Sequence, residues 1–185
     1  MSVRRIETPL DRAAVQSLRA GDEVLLSGTV YTARDAAHRK LAGLLDAGRP
    51  LPFDLRGAVI YYAGPTPAPK GRAIGSIGPT TSYRMDAYTP QLLAAGLAGM
   101  IGKGQRSPEV VAAIKKHHAA YFAALGGAGA YLSSRIVSAK VIAFAELGTE
   151  AVRQLEVRDF PLTVINDPAG GDYYLDVMKR SKAKK

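Results

Sequence analysis

The chain contains no cysteine, so it can form no disulfide, offers no thiol nucleophile and cannot ligate an iron–sulfur cluster through its own thiolates. It has three histidines, too few for a convincing metal cage built from imidazoles. We therefore expect no metal ligand in this chain. Any metal centre of these kinds has to come from a partner.

Long apolar stretches are also missing. No run approaches the roughly 18 consecutive apolar residues that a membrane-spanning helix needs, and residues 1–7 lack the apolar segment of a secretion signal. We therefore expect a cytoplasmic protein with no membrane partner. The 185 residues, 47% of them hydrophobic, suffice for one domain with a sizeable core, which we place at residues 1–178.

Positive charge is plentiful. The formal net charge is +9 and the sequence pI is about 9.9. Five cations lie in residues 179–185, a segment that we expect to be a disordered basic tail, and the rest of the chain carries about +4. A basic nucleic-acid-binding protein is therefore the main non-enzyme alternative. Because no nucleic-acid-binding motif is recognisable, we expect no nucleic-acid partner.

Helix-like and strand-like patterns alternate along the sequence and predict an α/β fold. We predict helices over residues 11–18, 35–47, 88–98 and 109–124, and strands over 23–32, 57–63, 99–102 and 160–167. The first of these strands has a β-bulge at Gly28 in this interpretation. Ser107 and Pro108 are typical of a helix N-terminus, and residues 136–144 fit either a helix or a strand.

Three segments place cations among glycine, proline or hydroxyl side chains: Thr32–His38, Gly75–Asp86 and Gly102–Gly104. The planar guanidinium donates two parallel hydrogen bonds to a carboxylate, which makes Arg34 and Arg84 candidate clamps for an acidic ligand. Lys103 either neutralises a carboxylate or lies in solvent. The alternative for each arginine is a surface salt bridge.

Hydroxyl and imidazole groups accompany these cations. Thr80 and Thr81 follow Gly78-Pro79, where threonine ordinarily caps a turn. The more specific hypothesis makes Thr80 a hydroxyl that contacts substrate or transfers a proton, for which it needs activation. His38 follows Arg34 by four residues and either orients an acidic ligand or packs locally.

Several segments, taken together and in order, resemble the β subunits of class I fumarases and of L(+)-tartrate dehydratases. They are Gly28–His38, Tyr61–Pro65, Gly78–Asp86, Met100–Gly104, Gly126–Ala130 and Glu156–Pro161. The resemblance covers most of the chain. One departure is Ser82-Tyr83, which stands where the family commonly has a smaller pair, and a tyrosine there would reshape the substrate pocket.

The resemblance implies a swivelling β/β/α domain with a mixed central sheet flanked by helices. It also implies a hydro-lyase that is active only with a separate α subunit, whose three cysteines hold a [4Fe–4S] cluster. The assembly implied is a hetero-oligomer of the α2β2 type. The absence of cysteine from this chain agrees with a cluster that is held by the α subunit.

The resemblance also assigns roles to residues. Arg34, Arg84 and Lys103 match dicarboxylate-binding residues, Thr80 matches a proposed catalytic base, and His38, Thr81 and Asp86 are candidate supporting residues. Our first choice of reaction is fumarate hydratase, which interconverts malate with fumarate and water. The close alternative is tartrate dehydratase, which yields oxaloacetate, and a third is a carboxylate-binding regulator without a catalytic partner.

Overall fold

Residues 3–182, the part of the chain described by the computed structural model, contain seven strands in one mixed sheet. The strands are β1 (Arg4–Glu7), β2 (Glu23–Thr32), β3 (Val59–Tyr61), β4 (Gly99–Gly102), β5 (Ala120–Ala123), β6 (Ile136–Ala143) and β7 (Val152–Asn166). The α-helices are α1 (Arg12–Gln16), α2 (Asp35–Asp46), α3 (Thr89–Ala94), α4 (Pro108–His117), α5 (Gly129–Ser133) and α6 (Tyr173–Lys182). Short 3₁₀ helices cover Ser82–Met85 and Ala145–Glu150.

The sheet closes into a barrel through β2, which pairs in parallel with β3 and antiparallel with β7. Strands β3, β4 and β5 follow one another in parallel, and β7 completes the circuit by pairing antiparallel with β5. Strand β1 adds to β2, and β6 adds to β7, outside this circuit. The structure confirms the predicted α/β class and its mixed sheet flanked by helices.

Two apolar clusters lie on opposite sides of the barrel wall. Tyr61 and Phe122 belong to the cluster inside the barrel, whereas Tyr62 and Tyr121 belong to the cluster between the barrel and helices α2, α3 and α4. Adjacent residues of an extended chain point to opposite faces, so each neighbouring pair supplies both layers. The parallel strands are therefore buried on both sides, as their near-continuous apolar sequences require.

The first half of the chain follows the predicted pattern closely. The Asp11 side chain caps α1 by accepting a hydrogen bond of 2.6 Å from the Ala14 N–H. The pairing of β2 with β7 shifts register between Leu26 and Gly28, which confirms the bulge predicted at that glycine. Gly28 has a φ of +97°, a left-handed backbone that favours glycine.

The predicted helix over residues 109–124 is wrong in its second half. Helix α4 begins at Pro108 after the predicted Ser107 cap, but it ends at His117, and residues 120–123 form β5. His118 has a φ of +54° and reverses the chain direction after the helix. Pairing with β4 and β7 then overrides the local helix propensity of the alanine-rich sequence.

The C-terminal third also differs from expectation. Residues 136–144, which fit either a helix or a strand, form strand β6 up to Ala143. Strand β7 begins at Val152 rather than near residue 160. Residues 179–182 of the expected disordered tail are helical, as the last part of α6, and residues 183–185 lie outside the described residues. Across residues 3–182, no helix combines the length and apolarity needed to cross a bilayer.

Candidate active site

The predicted cationic residues meet at one edge of the barrel. Arg34 follows the end of β2 by two residues, and Lys103 directly follows β4. Because β2, β3 and β4 run in parallel, their carboxyl ends lie at the same edge, which is where α/β proteins commonly bind ligands. The parallel order of the strands thus joins positions that are far apart in sequence.

Residues 80–82, here called the threonine segment, attach to this edge through backbone hydrogen bonds. The Thr80 N–H donates to the Tyr62 carbonyl at 2.6 Å, and the Ser82 N–H donates to the Lys103 carbonyl at 2.9 Å. Thr81 pairs with Lys103 as an isolated parallel bridge. Thr80, Thr81 and Lys103 are therefore brought together, as the sequence predicts. Thr80 and Thr81 are half-buried, whereas Lys103 is exposed.

Asp35 joins the two arginines. The Arg84 Nη2 donates a hydrogen bond of 2.8 Å to Asp35 Oδ2, and the Arg34 Nε lies 3.9 Å from Asp35 Oδ1. A second carboxylate, that of Glu150, lies 3.2 Å from Arg34 Nη2. The Arg34 and Arg84 side chains are 22% and 41% exposed, so both guanidinium groups can reach a ligand from solvent. These ion pairs hold the two guanidinium groups close together.

Arg34 keeps an unused donor in this arrangement. Its Nε is buried and lacks a hydrogen-bond partner, and so does the neighbouring Asp35 Oδ1. Buried polar atoms are normally paired, so an unpaired guanidinium N–H is a ready donor for an incoming oxygen atom. Gly64 makes room beside this group, because a Cβ there would lie 3.3 Å from Arg34 Nη1 and 2.9 Å from the Thr149 carbonyl oxygen.

His38 lies beneath Arg34 rather than in the open site. It is fully buried, and its Nδ1 donates a hydrogen bond of 2.9 Å to the Arg34 carbonyl oxygen, since that oxygen can only accept. Its ring packs edge-on against Tyr62 at 5.1 Å. Burial lowers the pKa of His38 to about 4, so the ring is neutral near pH 7 and orients Arg34 through packing and its hydrogen bond.

Asp86 pairs with Arg106 rather than with Arg34 or Arg84. Its Oδ1 accepts from Arg106 Nε at 2.7 Å, and its Oδ2 accepts from the Ser107 N–H at 2.7 Å. Arg106 is 8% exposed and also donates to Thr89 Oγ1 at 2.8 Å. Both carboxylate oxygens are thus committed to the fold. Asp86 supports the site by fixing the chain that follows the Ser82–Met85 helix.

Sequence reasoning missed three residues of this site: Asp35, Glu150 and Arg106. Asp35 lies within the cationic segment Thr32–His38, and its position next to Arg34 could have indicated an ion pair with an arginine of the site. Glu150 carries no such signal, because only the β6–β7 connection brings it to Arg34. Arg106 reads as an ordinary surface cation until the fold buries it against Tyr62 and Tyr121.

The described residues do not fit the ligation of a metal cluster. Within residues 3–182 there is no group of three or more His, Cys, Asp or Glu side chains placed to hold a metal ion. The whole chain lacks cysteine, the usual ligand of iron–sulfur clusters. What this edge supplies is cations, hydroxyl groups and backbone N–H groups, which suit a small carboxylate ligand.

Known proteins with similar sequences are fumarate hydratases and a related dehydratase. Fumarate hydratase 2 of Leishmania major is 41% identical over 173 residues, which make up 91% of this chain and 30% of the relative. The aerobic class I fumarate hydratase of Escherichia coli is 43% identical over 154 residues, or 82% of this chain and 28% of the relative. The chain thus spans less than a third of both enzymes.

A shorter relative matches along nearly its whole length. A provisionally assigned L(+)-tartrate dehydratase subunit beta from Methanocaldococcus jannaschii is 37% identical over 177 residues, which cover 92% of this chain and 91% of that protein. The family model described as Fumarase C-terminus matches residues 2–177. The chain therefore belongs to the fumarase C-terminus family.

Proposed function

We propose that this chain is the β subunit of a two-subunit hydro-lyase and that it binds the dicarboxylate substrate. The observation that carries the proposal is the meeting of Arg34, Arg84, Lys103 and Thr80 at one barrel edge in a member of the fumarase C-terminus family. The preferred reaction is fumarate hydration, in which malate and fumarate interconvert with the loss or gain of water.

The proposal includes a separate α subunit. The fumarate hydratase relatives are more than three times as long as the matching region, whereas the tartrate dehydratase subunit has about the length of this chain. In addition, Arg84 and Lys103 face solvent along an open edge, which leaves one side of the site for another polypeptide. An α2β2-type assembly would provide it.

The charges at this edge also favour a separate α subunit. Three cations at this edge, Arg34, Arg84 and Lys103, accompany the two carboxylates of Asp35 and Glu150. A dicarboxylate dianion therefore needs either displacement of these carboxylates or positive charge from the partner. We propose that the α subunit carries a [4Fe–4S] cluster, for which this chain has no cysteine ligand, and an iron with an open coordination position would act there as a Lewis acid on the substrate.

In this proposal the arginines bind first. The Arg34 and Arg84 guanidinium groups exchange their contacts with Glu150 and Asp35 for contacts with the substrate carboxylates. Arg34 Nε, which has no hydrogen-bond partner and lies 3.9 Å from Asp35 Oδ1, donates an additional hydrogen bond once Asp35 is displaced. Two fixed cations orient the substrate and hold it in one position relative to Thr80 and Lys103, which removes rotational freedom before the reaction.

Proton removal then generates charge on one substrate carboxylate. The proton leaves the carbon next to that carboxylate, the hydroxyl group leaves the neighbouring carbon, and the two depart as water when malate becomes fumarate. Lys103 and the arginines stabilise the dianionic carboxylate that develops. Thr80 is our candidate for the group that receives the proton, because it is half-buried at this edge and adjoins Thr81, which pairs with Lys103. To act as the base, its hydroxyl would first give its own proton to solvent. The proton that it then takes from carbon is returned to solvent, and the departing hydroxyl group takes a proton from solvent to form water.

L(+)-tartrate dehydratase is the second candidate function. The observation that favours it is the near full-length match to a protein assigned as such a subunit. Tartrate has the same two carboxylates as malate and one additional hydroxyl group, so the same arginines would bind it. Tartrate loses water to give an enol that tautomerises to oxaloacetate. We propose that Tyr83, which is 66% exposed and follows Ser82 directly before Arg84, contacts the additional group.

Arginine variants of the assembled enzyme test the proposal. We expect Arg84→Ala to lower kcat by roughly 100-fold or more, the usual loss when one preorganised donor to developing charge is removed. Arg49→Ala is the control, because Arg49 is exposed and lies beyond the far end of α2, roughly 18 Å from Arg34 along the helix. Normal turnover by a fully assembled Arg84→Ala enzyme would contradict the proposal.

A further inference from the structure

A chain of hydrogen bonds links the threonine segment to residues 103–104, here called the lysine loop, which follow β4. The Tyr121 hydroxyl donates to the Gly104 carbonyl oxygen at 2.8 Å and lies 2.9 Å from Ser82 Oγ. Ser82 Oγ in turn accepts a hydrogen bond of 3.1 Å from the Lys103 N–H. The series runs from the Lys103 N–H through Ser82 and Tyr121 to the Gly104 carbonyl oxygen. It therefore begins and ends on neighbouring residues of the lysine loop.

The number of protons fixes the direction of this chain. Tyr121 has one hydroxyl proton, and Gly104 takes it because a carbonyl oxygen cannot donate. Ser82 must therefore donate its own proton to the Tyr121 oxygen, which leaves its lone pairs for the Lys103 N–H. Every donor and acceptor in the series is satisfied, so each contact favours the next.

Burial makes these contacts strong and Tyr121 a dependable donor. Ser82 and Tyr121 are both fully buried. Burial raises the pKa of the Tyr121 phenol well above its usual range, so the hydroxyl stays protonated at neutral pH. Tyr121 belongs to β5, and its ring lies 5.0 Å from the buried Arg106 guanidinium, so the hydroxyl is held on a rigid element.

Packing leaves little freedom around Ser82. Gly102, the last residue of β4, has no side chain, and a Cβ there would overlap Ser82 Oγ. The Ser82 N–H also donates to the Lys103 carbonyl at 2.9 Å, so Lys103 is bound to Ser82 through both its N–H and its carbonyl. The serine thus fixes the backbone at the start of the lysine loop.

We propose that Ser82 and Tyr121 are positioning residues that hold Lys103 in register with Thr80 and Arg84, and that this register sets the affinity and turnover of the site. The inference rests on the proposed function for its kinetic part. Neither side chain contacts the substrate in this scheme.

Three variants test the link: Tyr121→Phe, Ser82→Ala and the double variant. Tyr121→Phe keeps the ring over Arg106 and removes only the hydroxyl group. The matched control is Tyr61→Phe, because Tyr61 is also a buried tyrosine whose hydroxyl donates to one backbone carbonyl, that of Ile77, at 2.9 Å. The full-length chain, alone and with its α subunit, is used throughout.

Backbone amide exchange in the full-length chain is the first readout, and it does not depend on activity. We expect the Lys103 and Ser82 amides to exchange at least tenfold faster in Tyr121→Phe, and little change at these amides in Tyr61→Phe. The double variant should exchange no faster than Ser82→Ala, because the serine is the shared member of the series. Unchanged exchange at both amides in Tyr121→Phe would overturn the link.

Steady-state kinetics of the assembled enzyme are the second readout. We expect kcat/KM for the dicarboxylate to fall about tenfold in Tyr121→Phe, and by less than twofold in Tyr61→Phe at a similar loss of thermal stability. Faster exchange with unchanged kinetics would overturn the positioning role. Faster exchange in a chain whose wild-type assembly has no hydro-lyase activity would support the link and contradict the proposed function.

Discussion

At the scale of single residues, the burial of His38 has a measurable cost. The ring is fully buried, with the Arg34 carbonyl oxygen on one nitrogen, no partner on the other, and the Arg106 guanidinium as a repulsive charge nearby. A protonated ring is therefore disfavoured in the folded state. The buried, neutral ring fixes the Arg34 backbone by its hydrogen bond, and its protonation at low pH destabilises the fold.

The pH dependence of stability follows from this shift. The ordinary pKa of a histidine side chain is 6.5, whereas the pKa of the buried His38 is about 4, so at intermediate pH the unfolded chain binds a proton that the folded chain does not. The free energy of unfolding is then highest above about pH 6.5 and falls as the pH drops toward 4. We expect a loss of about 2 kcal/mol from this residue between about pH 7.5 and pH 5.

Urea unfolding of the wild-type chain and His38→Gln at several pH values measures this contribution. The glutamine can still donate to the Arg34 carbonyl but does not titrate. We expect the difference in free energy of unfolding between the two chains to change by the stated amount across the window. Equal pH dependence in both chains would contradict the assignment.

Only part of the candidate site could be predicted from the sequence. The segments around Arg34, Arg84 and Lys103 stand out, since glycine, proline and hydroxyl residues surround each cation. Their ion-pair partners do not stand out, because a carboxylate such as Glu150 becomes a partner only through the path of the chain. The sequence predicts that His38 either orients a ligand or packs locally, and only the tertiary structure shows that it is fully buried.

At the scale of elements, the end of α4 decides where β5 begins. The Ala119 N–H donates to the Ile114 carbonyl and the His118 N–H donates to the Lys115 carbonyl, which closes the helix while His118 adopts a left-handed backbone. A glycine normally occupies that position. Because residue 118 is a histidine rather than a glycine, the sequence does not show the end of the helix, and it predicts a helix that continues through β5.

Glycine substitutions at two nearby positions test this interpretation. His118→Gly should raise the free energy of unfolding by about 0.5–1 kcal/mol, because relief of the left-handed strain exceeds the added flexibility of the unfolded chain. Lys116→Gly, at an exposed position within α4, should lower it by up to about 1 kcal/mol. The measurement is urea unfolding of both variants. Destabilisation by both to the same extent would contradict the assigned role of His118.

The predicted alternation of elements was more reliable than their ends. Strands β2 and β4 match their predicted ranges because both are rich in β-formers, and glycine precedes β2 at residue 21 and stands at both ends of β4. Strand β7 was predicted only over its second half, since exposed polar residues interrupt its first half, where it pairs with β2 and β6 at the same time. Pairing on both sides, rather than composition, extends that strand.

At the scale of the whole molecule, the barrel presents one edge with an open, cationic surface. Fumarate hydratase relatives carry this region as less than a third of their length, so the larger part of those enzymes lies outside the matched region. The domain boundary at residue 178 stays a prediction. The closure of the barrel by β2 and β7 could not be predicted, because the two strands lie at opposite ends of the sequence.

The assembled enzyme provides the most direct test of the central claim. The chain is co-expressed anaerobically with a cluster-bearing α subunit of the same organism, and malate, fumarate and L(+)-tartrate are assayed with the pair and with each subunit alone. We predict hydro-lyase activity only in the pair, with the preferred substrate separating fumarase from tartrate dehydratase. A stable, cluster-loaded pair that is inactive on all three substrates, or an α subunit that is equally active alone, would contradict the account.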